Sequence, residues 1–197
     1  LPDGDEQCLQ QFVSQSPWAW EPVRERLARR MQAELEPDAW VVDDTGFPKQ
    51  GRASVGVARQ YSGTLGKVAN CQIGVSLSVA TRSEHVPIDF ELYLPETWAI
   101  DPERRREARI PDSVSFQTKP DLALAMIRRA IAAGTPTGVL LADAAYGTSR
   151  EVRSGVRQAG LHYAVGVDPK TTVFVLNAKG KPNGESVSVR DLAEQIH

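Results

Sequence analysis

The chain has 197 residues, 41% hydrophobic and 24% charged, with a formal net charge of −2, so any surface that binds a polyanion must come from local clusters of Lys and Arg. Two distant cysteines without a CxxC pattern, together with only three histidines, argue against a zinc site or a disulfide framework. No apolar run approaches the roughly 18 residues that span a bilayer, so we expect a cytoplasmic protein without a membrane partner.

The N-terminal part predicts two helices. Residues 5–15 place apolar side chains on one face, and residues 22–35 begin with a proline, which suits the first helical position because no amide hydrogen is needed there. The second helix repeats apolar residues every four positions, and its other face is densely charged. We interpret that face either as a solvated surface or as a surface for a nucleic-acid backbone.

A short apolar strand over residues 40–42 leads into two adjacent carboxylates, Asp43 and Asp44. Thr45 and Gly46 follow, and this pair predicts a turn of the chain. A buried strand that delivers acids to its carboxyl end is a common basis for an active site in an open α/β sheet. The segment is therefore the first candidate for chemistry.

The next part of the chain predicts an antiparallel meander joined to the acidic strand. Three strand-like runs separated by short turns carry this prediction: residues 54–61, 68–79 and 88–94. Residues 94–118 are polar and rich in Pro and Arg, which predicts a surface loop.

A second acidic strand lies far downstream. Residues 119–133 predict a strong helix, after which the apolar residues 139–142 lead into Asp143 and the sequence Ala-Ala-Tyr-Gly. A helix at 149–158 and a strand at 162–167 complete the strand–helix–strand pattern of a parallel sheet. The last residues predict three short elements: a strand at 171–176, a turn at 179–184 and a helix at 189–196.

This order of elements predicts an α/β protein with a ribonuclease H-like mixed sheet, antiparallel in its first three strands, parallel afterwards and flanked by helices. In such a sheet the two acidic strands lie side by side, and Asp44 and Asp143 would come close enough to share a metal ion. Paired carboxylates suit Mg²⁺, a hard ion that prefers oxygen ligands and leaves positions for substrate phosphate. Two such ions about 3.5–4 Å apart promote phosphodiester displacement. The alternative for each Asp is a cap or turn residue.

Four cations are interleaved with glycines after the first acids: Lys49, Arg52, Arg59 and Lys67. Cations on glycine-rich turns beside an acidic site favour close approach of a phosphate backbone. The alternative is an ordinary charged hairpin. Tyr146, which follows Asp143, is expected either to stack on a base or to pack the strand–helix turn.

Long stretches of these same residues resemble a known family. The segments WVVDDTGFPKQGRASVGVARQYSGTLGKVANCQIGVSLSVAT, DFELYLPETWA, FQTKPDLALAMI and LLADAAYG resemble the DDE-superfamily transposases of bacterial insertion sequences. The resemblance implies a ribonuclease H-like core, Mg²⁺- or Mn²⁺-dependent DNA strand cleavage and transfer, and binding of terminal inverted repeats, with a homodimer at full length. It assigns the first acid to the Asp-Asp-Thr segment, where Asp44 is preferred to Asp43, and the second acid to Asp143.

The family's third acid has no counterpart in the sequence. That acid is a Glu on a late helix near a Tyr and basic residues, whereas the last tyrosine here is Tyr163. The resemblance therefore implies a transposase fragment with three segments: N-terminal helices at 1–38, an incomplete catalytic core at 39–168, and the start of a β-rich insertion or tail at 169–197. The alternative is a transposase-derived protein that binds DNA or a protein partner without cleaving. We expect either to be associated with the nucleoid.

Overall fold

The computed structural model describes residues 6–15, 19 and 21–195. Its helices are α1 (Glu6–Gln15), α2 (Glu21–Glu34), α3 (Glu96–Ala99), α4 (Pro102–Glu107), α5 (Lys119–Ala132), α6 (Ala144–Gly147), α7 (Arg150–Gln158) and α8 (Val189–Glu194). Its strands are β1 (Ala39–Pro48), β2 (Ala58–Ser62), β3 (Lys67–Ala80), β4 (His85–Tyr93), β5 (Val139–Ala142), β6 (Tyr163–Val165), β7 (Thr172–Val173) and β8 (Val187–Ser188). The predicted helix ends at Asp5 and Ile196 lie outside the described residues.

The main sheet has the order β2-β3-β1-β5-β6, with β4 also paired to β3. The β1–β3, β2–β3 and β3–β4 pairs are antiparallel, whereas β1–β5 and β5–β6 are parallel. The predicted ribonuclease H-like mixed sheet flanked by helices is therefore confirmed. The two acidic strands, β1 and β5, are direct neighbours, as the order of elements predicted.

The main core lies on one face of this sheet, under α5 and α7. Side chains alternate between the two faces along a strand, so alternate residues in the first half of β1 and the second half of β3 point into this core. Its buried members include Trp40, Leu77, Met126, Leu140 and Val156. The face of the sheet that meets the helices is thereby fixed, and with it the direction of every other side chain in β1.

The start of α5 is held by a reciprocal cap. The hydroxyl of Thr118 accepts a hydrogen bond from the backbone N–H of Asp121, and the Asp121 carboxylate accepts one from the backbone N–H of Thr118. Lys119 and Pro120 form the first turn between these caps. The position of the Lys119 side chain relative to the sheet is therefore set by a rigid helix start.

The turn predicted at Thr45 and Gly46 is wrong, because β1 continues through both residues to Pro48. Throughout this length β3 supplies an antiparallel partner, from Ala80 opposite Ala39 to Cys71 opposite Pro48. Gly46 fits the strand since a Cβ at this position would lie 2.5 Å from the Oγ of Ser62. The two acids consequently lie within β1 and not at its end.

The surface loop predicted at 94–118 is wrong in part, since it contains α3 and α4. Trp98 of α3 is buried, and its indole Nε1 donates a hydrogen bond of 2.8 Å to the carbonyl of Val57. The guanidinium of Arg104 lies over the Trp98 ring, 3.5 Å from its centroid. Polar composition concealed this segment because only a small cluster of apolar side chains around Trp98 anchors it.

The N-terminal helix α2 is joined to the sheet through charge. Arg24 Nη1 lies 2.9 Å from Oδ1 of the buried Asp89 in β4, and Arg129 of α5 contacts the other oxygen of that carboxylate. Part of the charged face of α2 is therefore used within the protein.

At the other end of the chain β7 and β8 form a separate two-stranded sheet, shorter than the strand predicted at 171–176. Among the described helices, none has the length and apolar character to span a membrane.

Candidate metal centre

The adjacent acids of β1 point to opposite faces of the sheet, as alternation along a strand requires. Asp44 shares the core-facing side with Trp40 and Val42, and its side chain is 17% exposed. Asp43 lies on the opposite face and is exposed, and its Oδ1 accepts a 2.7 Å hydrogen bond from the backbone N–H of Asp44. The pair thus offers two carboxylates in different surroundings.

Both hydrogen bonds to the Asp44 carboxylate end on the same oxygen, Oδ2. Lys119 Nζ donates at 3.0 Å and the Tyr146 hydroxyl donates at 3.1 Å. Within the described part of the chain, no hydrogen bond reaches Oδ1 of Asp44. One carboxylate oxygen is therefore held by two helices, α5 and α6, while the other keeps its lone pairs for a further ligand.

Asp143 directly follows β5. The parallel register pairs Val42 with Ala142, the residues that immediately precede Asp43 and Asp143. Asp143 is exposed, and its Oδ1 accepts a 2.9 Å hydrogen bond from the backbone N–H of Ala145, which caps α6. The register places Asp143 level with Asp43, the exposed acid of the pair, and the cap considered as the alternative role of Asp143 is also present.

Tyr146 lies among these acids and is 1% exposed. Burial raises the pKa of its phenol well above the usual range, and the charge and hydrogen bond of Asp44 and the charges of Asp43 and Asp143 raise it further. The phenol is therefore neutral at physiological pH and acts as a hydrogen-bond donor. Of the two expectations for Tyr146, packing of the strand–helix turn agrees with its burial, whereas stacking on a base needs an exposed ring.

The donor atoms at this end of the sheet fit a divalent cation. Asp43, Asp44 and Asp143 offer only carboxylate oxygens, the ligands that Mg²⁺ prefers. Within the described ranges, however, no three His, Cys, Asp or Glu side chains come together in an arrangement that could hold a metal ion. These residues could supply some of the ligands of an ion, and the remaining positions would be left to water, phosphate or a further acid.

The four cations predicted to contact phosphate have exposed side chains: Lys49, Arg52, Arg59 and Lys67. The loop after β1 that carries the first two is held by Asn70, whose Nδ2 donates to the carbonyls of Lys49 at 2.7 Å and Gly51 at 2.8 Å. At about 3.3 Å per residue, Lys49 lies roughly 17 Å along the chain from Asp44. The cations and the acids are thus separate groups joined by one strand.

Sequence reasoning missed Lys119. Its partner Asp44 lies 75 positions away in the sequence, so no local pattern connects the two residues. The only available signal was the helix start Thr-Lys-Pro-Asp, which fixes where α5 begins but not what the lysine touches.

Comparison with known proteins gives two matches. The family described as DDE superfamily endonuclease matches residues 1–187, which include β1, β5 and all the acids described above. A protein of Microchaete diplosiphon named as a probable transposase for insertion sequence element IS701 is 30% identical over 175 residues. That alignment covers 87% of this chain and 43% of the relative, so the chain spans less than half the length of the curated relative it matches.

Proposed function

Because this chain belongs to the DDE superfamily endonucleases, we propose that it is the part of an insertion-sequence transposase that supplies two acids of a metal site for DNA strand cleavage and transfer. The observation that supports this most is the parallel pairing of β1 with β5, in which Val42 and Ala142 are partners immediately before Asp43 and Asp143. Superfamily members use divalent metal ions, and the all-oxygen donor set at this place suits Mg²⁺ or Mn²⁺.

In this proposal Asp44 and Asp143 each give one ligand, with Asp43 as the alternative to Asp44. A bound divalent ion supplies Lewis-acid activation of water or a 3′-hydroxyl and neutralises charge on the phosphate. The chain's own part is positioning. Lys119 and Tyr146 hold one oxygen of Asp44, and the cap of α6 holds one oxygen of Asp143.

The DNA-binding part of the proposal rests on exposed charge. Four exposed cations lie on β1–β3 and their connections, where they would contact the backbone of terminal inverted repeats: Lys49, Arg52, Arg59 and Lys67. We further propose that the full-length protein acts as a homodimer and is associated with the nucleoid in the cytoplasm.

Isothermal titration with Mn²⁺ tests the metal site. The wild-type chain should bind Mn²⁺, while Asp44→Ala and Asp143→Ala should lose this binding, because each removes one of the two proposed ligands. Asp43→Ala serves as the matched control from the adjacent position and should keep it. Binding that survives in Asp44→Ala and disappears in Asp43→Ala would assign the first ligand to the exposed acid.

A second candidate is a transposase-derived protein that binds DNA or a protein partner without cleaving. It is favoured by the lack, among the described residues, of a group of three potential metal ligands. A terminal-repeat duplex separates the two proposals: nicking in Mn²⁺ supports the nuclease, and salt-sensitive binding without nicking supports the binding protein.

A further inference from the structure

Asp44 is contacted by two side chains of different charge. The Tyr146 hydroxyl and the Lys119 ammonium both bind Oδ2, at 3.1 and 3.0 Å. The phenol is neutral and buried, whereas the ammonium carries a full charge and its side chain is 28% exposed. The two contacts are similar in length, but they have different electrostatic consequences for anything that binds the remaining oxygen.

The Tyr146 contact orients the carboxylate without changing its charge. A side chain that is 1% exposed has little freedom, so its hydroxyl fixes the rotation of the Asp44 carboxylate group. The fixed rotation directs Oδ1, which accepts no hydrogen bond from the described residues, away from the pair of donors. Hydrogen bonds of this kind from neighbouring side chains orient metal-binding carboxylates and strengthen ion binding.

The Lys119 contact acts in the opposite direction because its charge repels another cation. The ammonium is held in place by the capped start of α5, and it also lies 5.8 Å from the centroid of the Tyr93 ring. Like charges in a partly buried site repel each other, and the solvent that reaches the exposed part of Lys119 weakens this repulsion. A divalent ion at Oδ1 would be repelled by the ammonium unless Lys119 moved.

We propose that Tyr146 and Lys119 are positioning residues that set the cation affinity of Asp44 in opposite directions: Tyr146 raises it by orienting the carboxylate, and Lys119 lowers it by acting as a built-in counter-ion. This inference rests on the proposed metal site. It implies that Lys119 keeps the site weak for free divalent ions and becomes available to a phosphate group when an ion displaces it from Asp44.

The test uses Mn²⁺ alone as the ligand, measured by isothermal titration on the whole chain. Tyr146→Phe removes one hydrogen bond and keeps the buried ring, and it should weaken Mn²⁺ binding about tenfold. Lys119→Met keeps the apolar stem and removes the charge, and it should tighten binding about three- to tenfold. Lys119→Arg should restore the affinity of the wild type, since it restores the charge.

Two control variants sit at exposed positions of the same residue types. Tyr61→Phe, at a residue that is 61% exposed, and Lys179→Met, at an exposed lysine, should leave the Mn²⁺ affinity unchanged. Thermal unfolding of every variant checks that the fold is retained. Added salt should reduce the increase in Mn²⁺ affinity that Lys119→Met produces, because salt partly screens the electrostatic repulsion that this variant removes.

The outcomes separate this inference from the proposal beneath it. If Mn²⁺ affinity decreases in both Tyr146→Phe and Lys119→Met, or changes in neither, the opposite roles of Tyr146 and Lys119 are overturned. The metal site still stands in that case if Asp44→Ala and Asp143→Ala abolish binding. Unaltered binding in Asp44→Ala overturns the roles of Tyr146 and Lys119, and it overturns the metal site as well if Asp43→Ala also keeps the binding. No Mn²⁺ binding by the wild type overturns both. Opposite shifts of the two variants support both.

Discussion

Two aspartates of the main sheet make contrasting use of their oxygens. In Asp89 of β4 both oxygens are occupied: Oδ1 accepts from Arg24 and from the backbone N–H of Phe90, and Oδ2 accepts from Arg129, each at 2.9 Å. In Asp44 of β1 both donors share Oδ2. Burial and a cationic neighbour are therefore common to both acids. What distinguishes Asp44 is the oxygen that its neighbours leave available.

The largest effect on stability is expected at Asp89, whose two carboxylate oxygens both accept hydrogen bonds. Asp89→Asn leaves two arginines around a neutral side chain that is almost completely buried. Breaking a buried ion pair from one side costs about 3–5 kcal/mol, and the exposure of Arg129 (38%) reduces this to roughly 2–3 kcal/mol. Urea unfolding should show this decrease, while Mn²⁺ binding stays at the wild-type level. An unchanged free energy of unfolding would mean that the network around Asp89 does not stabilise the fold.

An intermediate effect is expected at high pH from Tyr146. Its pKa is raised on folding, so the folded state holds the phenolic proton more tightly than the unfolded state does. The contribution of this phenol to the free energy of unfolding is fully present below the ordinary pKa of 10.0 and is lost as the pH rises above that value. Between pH 8 and pH 11 the free energy of unfolding of the wild type should fall by about 1 kcal/mol more than that of Tyr146→Phe. Parallel curves of stability against pH would contradict a buried, neutral phenol at Asp44.

The smallest effect on stability is expected at Asp44 itself. Asp44→Asn is the same chemical change as in Asp89→Asn, but its cationic partner Lys119 can turn towards water. The free energy of unfolding should fall by less than about 1 kcal/mol. The matched pair of variants thus predicts opposite profiles: stability lost at Asp89, and Mn²⁺ binding lost at Asp44. Equal destabilisation in both variants would remove the distinction between the two acids.

Much of the fold was predictable because alternating apolar residues define strands and a capped apolar stripe defines α5. The neighbouring positions of the two acidic strands followed from the sequence of elements, and the position of Asp143 followed from a four-residue apolar run. The turn predicted at Thr45 and Gly46 was wrong because local turn preference is overruled by a complete ladder with β3 and by close packing of Gly46 against Ser62.

The immediate environment of the candidate site was much less predictable. The sequence drew attention to Asp43, Asp44 and Asp143, but not to Lys119, since a contact across 75 residues depends on how α5 packs over the sheet. Nor did it indicate that adjacent acids point to opposite faces, because that requires β1 to continue past them. The exposed cations, in contrast, were found from their interleaving with glycines in the sequence, and their contact with DNA stays a prediction.

The most direct test is a crystal of the chain soaked in Mn²⁺ and measured at the manganese absorption edge. We expect an anomalous peak within bonding distance of Asp44 Oδ1 and an oxygen of Asp143, with Tyr146 still bonded to Oδ2. A peak at Asp43 that leaves both donors on Asp44, or no peak near β1 and β5 while the crystal takes up the ion elsewhere, would contradict it.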